Sequence, residues 1–285
     1  MFPEFGKPIK LATNEFIDWL IINHGDFFEA IANVILTVLV ALEKLLRGTH
    51  PIAIMVIVGL IAYAASRRFS LVALMIGAMY FIGALGLWEK AMQTIAIMLV
   101  SISLAIAVGI PMGILSARSN RLRLIINPVL DLMQTIPSFV YLIPAAMLFG
   151  LGKVPAILAT VIYATPPLIR LTDLGIRMVD SEVVEASRAF GATRWQLLRG
   201  VQIPLALPSI MQGINQTTMM ALAMVVIASM IGARGVGETV LIGLQRNDSG
   251  EGLIGGMAIV FLAIVFDRIS QSYGARLQAF RNVAH

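Results

Sequence analysis

The sequence predicts an all-α protein that crosses a membrane several times. Of its 285 residues, 58% are hydrophobic and only 13% are charged, and the mean hydropathy is +0.87. A soluble domain carries charge on about a quarter of its residues, so most of this protein's outer surface must face lipid. Apolar stretches of roughly 20 residues, the length of helix that crosses the hydrocarbon, recur along the chain.

About seven of these stretches are candidate spans. We place them at residues 51–66, 69–87, 91–116, 128–149, 154–175, 205–231 and 253–272. The first is short, and the fifth contains Pro166 and Pro167. We therefore expect an N-terminal region with two accessory spans at 1–88, a membrane core at 89–275 and a tail at 276–285.

Lysine and arginine in the loops and tails predict the orientation of the spans. The richer side has Arg67, Arg68, Arg118, Arg121, Arg123, Arg177, Arg188, Arg194, Arg199, Arg276 and Arg281, and the other side has Lys90, Lys153, Arg234 and Arg246. Cytoplasmic loops are enriched in these residues, so we expect the N-terminus outside and the C-terminus inside an inner (plasma) membrane. The net charge of +5 then reflects orientation, and we expect no nucleic-acid partner.

Residues 27–46 have a different character from the spans. Apolar residues recur there at helical spacing, while Glu29, Asn33, Thr37 and Lys44 fall on the other side. This pattern predicts an amphipathic helix that lies along the outer membrane surface. The alternative is an additional span, which the charges of this segment would make costly.

The polar segment between the fifth and sixth spans predicts two short helices joined at a corner. Asp180 or Ser181 can cap the start of the first helix. Gly191 can adopt the left-handed conformation that ends it. Thr193 can cap a second helix, which we expect to stop at Gly200. The first helix is more apolar than a simple connection requires, so we expect it to contact a partner or the protein's own spans.

Three parts of this segment resemble the EAA motif of binding-protein-dependent ABC importer permeases. They are Glu185-Ala186-Ser187, Gly191 three residues later, and Val201-Gln202-Ile203-Pro204 after nine more. The family pattern is Glu-Ala-Ala, Gly and Ile-x-Leu-Pro, so this chain replaces the second Ala, the Ile and the Leu with residues of similar size. The sequences MQTIPSFVYLIP at 133–144, ATPPLIR at 164–170 and IGARGVGE at 231–238 extend the resemblance to the glycine betaine, proline betaine and choline branch.

The resemblance implies a type I ABC importer core whose loop at 178–204 is a coupling helix. In such permeases this loop sits in a groove of a separate ATPase subunit, which binds ATP and Mg²⁺. The implied coupling positions are Glu185, Ala186, Ser187, Gly191 and Pro204. The permease itself would then hold no cofactor or metal and would not be an enzyme.

Polar residues within two spans are candidates for a translocation pathway or a gate. Gln212, Asn215 and Gln216 lie within about one helical turn of the sixth span, where lipid exposure would be costly. They face either a water-filled path or neighbouring helices, through interhelical hydrogen bonds. The fourth span contributes Gln134, Pro137, Ser138 and Tyr141. The proline permits a bend that could serve a gate or be static.

The chain has too few residues outside the membrane to contain its own substrate receptor. We therefore expect a separate periplasmic or extracellular binding protein, to which the resemblance assigns the aromatic cage for a quaternary ammonium group. A permease with a single core should also pair with a copy of itself. The expected assembly is a homodimer with two ATPase subunits.

Two other classes of function are alternatives to the importer. A secondary transporter driven by an ion gradient usually has a charged residue near the membrane midplane. Here Asp131, Arg170, Asp173 and Asp267 fall near the inner ends of their spans. A membrane-embedded hydrolase needs an activating base or metal ligands, but the chain has no cysteine and its three histidines lie near span ends or termini.

Overall fold

The computed structural model describes the backbone of residues 5–283 and the side chains of residues 5–276. The predicted N-terminal region at 1–88 and the predicted tail at 276–285 fall partly outside these ranges. The helices are α1 (Gly6–Gly48), α2 (Pro51–Ser66), α3 (Phe69–Ala84), α4 (Trp88–Arg118), α5 (Asn120–Thr135), α6 (Leu142–Phe149), α7 (Lys153–Arg177), α8 (Ser181–Ala189), α9 (Arg194–Leu197), α10 (Ile203–Ile227), α11 (Val236–Arg246) and α12 (Ser249–Val283). The described part of the chain contains no strand, as the sequence predicts.

Five helical runs of the described chain are long and apolar enough to cross a membrane. They are Gly6–Gly48, Trp88–Arg118, Lys153–Arg177, Arg194–Ile231 and Ser249–Arg276, and a bent pair of helices could form a sixth span. The expected spans at 91–116, 154–175, 205–231 and 253–272 lie inside four of these runs. The first two expected spans form α2 and α3, which are apolar but only 16 residues long.

The expected span at 128–149 is not one continuous helix. α5 and the helical run Ser138–Phe149 meet at 105°. Ile136, the residue before Pro137, has an extended backbone with φ −68° and ψ 128°. Proline sterically disfavours helical geometry in the preceding residue, and it has no N–H to donate to the turn before it. The sequence indicated a bend inside a span, and the structure has a sharp break.

The core of the bundle is α4, α7 and α10, which approach one another closely at glycines. A Cβ atom at Gly113 would lie 2.5 Å from the Thr172 Cβ and 2.8 Å from the Ile169 carbonyl oxygen. On α10, a Cβ at Gly213 would lie 3.0 Å from the Leu168 side chain. The spacing of Gly109 and Gly113 therefore serves close helix packing, as a small-xxx-small pair suggests.

The accessory helices α2 and α3 pack on α12 and on the start of α4. Their shared buried cluster includes Met75, Met79, Met92 and Leu262. α3 and α12 also stack the rings of Phe81 and Phe261, whose centroids are 5.6 Å apart. The first part of the chain is thus joined to the last helix of the bundle.

α1 is longer than the predicted segment 27–46, although its backbone is non-helical at His24, shortly before that segment. Within the described residues, the ring contact and the ion pairs that join its C-terminal half to the bundle all lie at one end of the bundle. Phe28 packs edge-on against Phe149, at the end of α6, with ring centroids 5.5 Å apart. Glu43 accepts a hydrogen bond of 2.5 Å from Lys153, at the start of α7. These contacts favour a helix that lies across the bundle, although its length and apolarity would also suit a span.

The glycine-containing segment at 231–238 is partly a turn and partly the start of a helix. Gly232 and Gly235 have positive φ and form a turn, but Gly237 lies in the first turn of α11. The Val236 amide donates a 2.9 Å hydrogen bond to the Thr94 hydroxyl of α4. A Cβ at Gly237 would lie 2.7 Å from the Val226 carbonyl oxygen, so close packing rather than loop flexibility explains this glycine.

Candidate functional site

The predicted first helix of the polar segment is α8, and its start is capped as expected. The Asp180 carboxylate accepts a 2.9 Å hydrogen bond from the Glu182 amide. This satisfies one of the free amide groups at the helix start. Glu182 itself lies in the first turn, where its negative charge interacts favourably with the helix dipole.

Gly191 ends α8 in a complete Schellman motif. The Ala192 amide donates to the Ser187 carbonyl at 3.1 Å, and the Gly191 amide donates to the Arg188 carbonyl at 2.9 Å. Gly191 has φ +81°, which only glycine adopts without cost. No atom lies within 4 Å of a Cβ built on it. The constraint on this position within the chain is therefore the backbone conformation and not a lack of space.

The second short helix starts as predicted, but it does not stop at Gly200. Thr193 and Gln196 form a reciprocal capping box at the start of α9. The helix then continues through a widened turn at Leu198–Gln202 into α10. Pro204 explains the widening, because a proline ring in a regular helix clashes with the carbonyl four residues earlier. The polar segment is thus joined to the following span by one helical run, Arg194–Ile231.

The segment presents an exposed surface with apolar groups among its charges. None of the α8 side chains is buried, so Glu185 and Ala186 are accessible. Phe190 is 93% exposed, and Trp195 is 57% exposed. In contrast, Leu198 is buried in a cluster with residues of α7 and α10. The segment is therefore anchored to the bundle on one side and free to contact a partner on the other.

The three polar residues of α10 do not share one environment. Asn215 is buried, and its amide nitrogen donates to the Asp267 carboxylate of α12 at 3.3 Å. Gln212 and Gln216 are exposed on the surface of the bundle. Interhelical hydrogen bonding, one of the two sequence interpretations, therefore describes Asn215, while the two glutamines remain available to line a path.

The candidate gate residues lie around the break between α5 and α6. Gln134 and Pro137 are exposed, and Ser138 is half-buried. The Tyr141 hydroxyl donates a 2.6 Å hydrogen bond to the Met133 carbonyl, which spans the break. The Tyr141 ring centroid is 6.4 Å from that of Tyr163 on α7. One tyrosine thus connects both arms of the bend and contacts the core.

The sequence analysis missed a buried polar cluster at the end of the core that carries Arg123 and Arg177. Asp173 is 5% exposed and pairs with Arg177 at 2.8 Å and with Arg123 at 3.2 Å. Arg177 also donates to the Asn120 side chain and to the Ser116 carbonyl. The spacing of Asp173 and Arg177 along one helix face was the available signal. The cluster ties α4, α5 and α7 together beside the polar segment.

No group of three or more His, Asp or Glu side chains in the described residues could hold a metal ion. The features with recognisable chemistry are therefore the exposed helix α8, the exposed polar positions of α10 and the break before α6.

Comparison with known proteins identifies the family. A profile described as the binding-protein-dependent transport system inner membrane component matches residues 109–278. The chain belongs to this family. It is accordingly a multi-pass inner membrane protein of the permease type, and the matched residues include the whole α8–α10 segment.

Curated relatives of this permease cover nearly the whole chain. It is 45% identical over 267 residues to the glycine betaine/proline betaine transport system permease protein ProW of Escherichia coli, covering 94% of this chain and 75% of ProW. It is 40% identical over 275 residues to the glycine betaine/carnitine transport permease protein GbuB of Listeria monocytogenes, covering 95% of this chain and 97% of GbuB. It is 42% identical over 265 residues to the glycine betaine transport system permease protein OpuAB of Bacillus subtilis, covering 93% of this chain and 94% of OpuAB.

Solved structures support the fold of the permease. Two chains of the MetNI methionine ABC transporter in inward-facing conformations superpose with TM-scores of 0.56 and 0.58 at 23% and 24% identity. They cover 66% and 68% of this chain, and 92% and 95% of their own. The fold predicted for the membrane core, that of a type I ABC importer permease, is thereby confirmed.

Proposed function

We propose that this permease forms the translocation pathway for glycine betaine or a related small methylated amine, such as choline or carnitine. The substrates named for ProW, GbuB and OpuAB support this class. Transport proceeds by alternating access. The energy comes from ATP hydrolysis in partner subunits.

The observation that carries the proposal is the exposed α8 helix, ended by Gly191 and joined through α9 to a span. An exposed helix with apolar side chains on its surface is suited to dock in a groove of another protein. The helical run Arg194–Ile231 begins beside this surface and contains Gln212 and Gln216. A docked ATPase subunit that moves would therefore move these polar positions as well, because one helical run connects them to the docking surface.

The pathway itself is proposed to include the exposed glutamines of α10 and the residues around the break before α6. Amide side chains in contact with lipid would be unfavourable, so a location against water or a second protomer is preferred. The 105° break leaves Gln134, Pro137 and Ser138 between two helix ends rather than within a regular helix. Tyr141, which links the two arms, is the proposed gate residue.

The proposed complex contains two copies of this permease, two ATPase subunits in the cytoplasm and an external substrate-binding protein. Each permease copy presents one α8 surface, which matches one ATPase subunit. We assign the Arg-rich end of the bundle, which includes α8, to the cytoplasm, because cytoplasmic loops are enriched in arginine. The turn at 232–235 and α11 then lie on the outer side, where the binding protein delivers the substrate.

Co-purification with the ATPase subunit tests the docking proposal. The tagged chain is expressed with the ATPase encoded beside it, and Gly191→Asp is compared with the unchanged protein. Aspartate at φ +81° strains the turn and places a charge on the docking surface. We expect retention of the ATPase by the unchanged protein and its loss, by at least roughly tenfold, in the variant.

Gly86 offers a matched control at the opposite end of the bundle. It also has a positive φ, +73°, and no atom lies within 4 Å of a Cβ built there. Gly86→Asp should therefore impose similar backbone strain but leave the ATPase bound. Equal loss of the ATPase from both variants, or no retention by the unchanged protein, would contradict docking at α8.

A further inference from the structure

A basic cavity and an apolar groove meet at the Arg-rich end of the bundle, and no residue of α8 lines either of them. The cavity, of about 360 Å³, is lined by Ala65, Ser66, Arg67, Arg68, Leu71, Ser272, Ala275 and Arg276. The groove, of about 500 Å³, lies between α2, α4, α10 and α12. Ala65 and Arg276 line both, so the two form one continuous site.

We propose that this site binds one anionic phospholipid, with its phosphate on the arginines and an acyl chain in the groove. Arg67 and Arg68 are both exposed, and no acidic side chain of the described chain forms an ion pair with either. Arg276 donates a hydrogen bond to the Ala64 carbonyl, which holds it at the junction of cavity and groove. Basic pockets between membrane helices on the cytoplasmic side bind anionic headgroups.

The groove has the chemistry of an acyl-chain site. Its lining is almost entirely apolar, with Ile61, Leu99, Ile214 and Phe266 among its residues. It separates the accessory helix α2 from the core helices α4 and α10. A lipid chain there would fill the space between these two parts of the bundle.

The surroundings place the basic cavity at the level of lipid headgroups. The Tyr63 ring lies 5.2 Å from the Phe69 ring, and the Arg67 guanidinium lies 5.6 Å from the centroid of the Tyr63 ring. Phe69 is 78% exposed. Aromatic side chains beside arginines at a span end are typical of the membrane interface. A lipid phosphate at this level can reach the arginines. Their positive charge favours phosphatidylglycerol or cardiolipin over zwitterionic lipids.

Lipid titration of the purified full chain tests the proposal. Phosphatidylglycerol and phosphatidylcholine are added in detergent, and bound lipid is counted by native mass spectrometry beside the thermal midpoint. We expect one phosphatidylglycerol per chain and a raised midpoint, with no such effect of phosphatidylcholine. The variant Arg67→Gln/Arg68→Gln should bind phosphatidylglycerol roughly 10- to 30-fold more weakly.

Two further variants make the result specific. Arg118→Gln/Arg121→Gln removes the same charge at the same end of the bundle but outside the cavity, and it should bind phosphatidylglycerol normally. Ile61→Trp fills the groove from an exposed position and should also expel the lipid. Because it leaves the arginines in place, it tests the site even if the arginine variant does not fold.

Four results would overturn the proposal. Equal weakening by both arginine pairs would mean that binding reflects overall charge. Undiminished binding by Ile61→Trp would mean that no acyl chain enters the groove. An equal shift with inorganic phosphate would identify a small anion as the ligand. If Ile61→Trp changed the oligomeric state but left lipid binding unchanged, the groove would be a contact between two copies of the chain. None of these results bears on the transported substrate.

Discussion

Gly113 shows how strongly single atoms constrain the core of this permease. Its position on α4 lets the backbone of α7 approach to within van der Waals contact. We predict that Gly113→Ala lowers stability by about 1–3 kcal/mol, because the added methyl group meets a backbone carbonyl that cannot move freely. The thermal midpoint in detergent measures this. Gly77→Ala in α3, where no atom lies within 4 Å, is the control and should leave the midpoint nearly unchanged.

Substitutions of the polar residues of α10 should have different effects on stability and uptake, because these residues have different surroundings. Asn215→Leu removes the hydrogen bond to Asp267 inside the bundle and should cost about 1–3 kcal/mol of stability. Gln216→Leu, at an exposed position, should leave the thermal midpoint unchanged and reduce substrate uptake severalfold. A comparison of midpoint and uptake for both variants checks this. Normal uptake by Gln216→Leu would remove Gln216 from the proposed pathway.

Local chemistry explains which residues of the site could be predicted from the sequence. Asp180, Gly191 and Thr193 act through caps and turns that depend on neighbouring residues only, and the structure places them as expected. The hydrogen-bond partner of Asn215 is Asp267 of α12, and no residue near Asn215 in the sequence indicates where α12 packs. The role of Lys153 as partner of Glu43 depends on contact between segments 110 residues apart.

α1 is attached to the bundle through ion pairs as well as apolar packing. Glu43 is buried and pairs with Lys153, while Arg47 pairs with Glu89 of α4. We predict that Glu43→Gln loosens this attachment, because a neutral amide interacts less strongly with the lysine. The chain has no cysteine, so a single Cys in place of the fully buried Leu39 reports the change through its maleimide labelling rate.

The labelling rate at position 39 should rise severalfold when Glu43→Gln is added. A cysteine in place of the exposed Val38 serves as the control, and its rate should not change. An unchanged rate at position 39 would show that apolar packing alone holds α1 in place.

At the level of helices, hydropathy predicted where the apolar helices lie better than where they end. Pro166 and Pro167 lie inside the continuous helix α7, whereas Pro137 lies at a 105° break. Proline has the same local effect at each site, so the outcome depends on whether neighbouring helices support the turn. The continuation past Gly200 has a similar cause, since a widened turn accommodates Pro204 without ending the helix.

The orientation of the whole molecule can be tested with single cysteines and a membrane-impermeant reagent in intact cells. Leu151→Cys, in an exposed turn between α6 and α7, should be labelled from outside. Phe190→Cys, at the C-terminal end of α8, should be labelled only after the cells are opened. This follows from the excess of arginine at the α8 end of the bundle.

Phe5→Cys distinguishes the two arrangements of α1. If α1 lies along the outer surface, this exposed position before the helix is labelled from outside, as we predict. Labelling only in opened cells would mean that α1 crosses the membrane and that the N-terminus is cytoplasmic.

The most direct test of the central claim is transport by the reconstituted complex. The permease, its ATPase subunit and its binding protein are placed in liposomes, and uptake of labelled glycine betaine is measured with ATP on the ATPase side. We predict uptake that requires ATP and all three proteins and that persists when ion gradients are collapsed by ionophores. Uptake by the permease alone, abolished by ionophores, would contradict the account and identify an ion-gradient transporter.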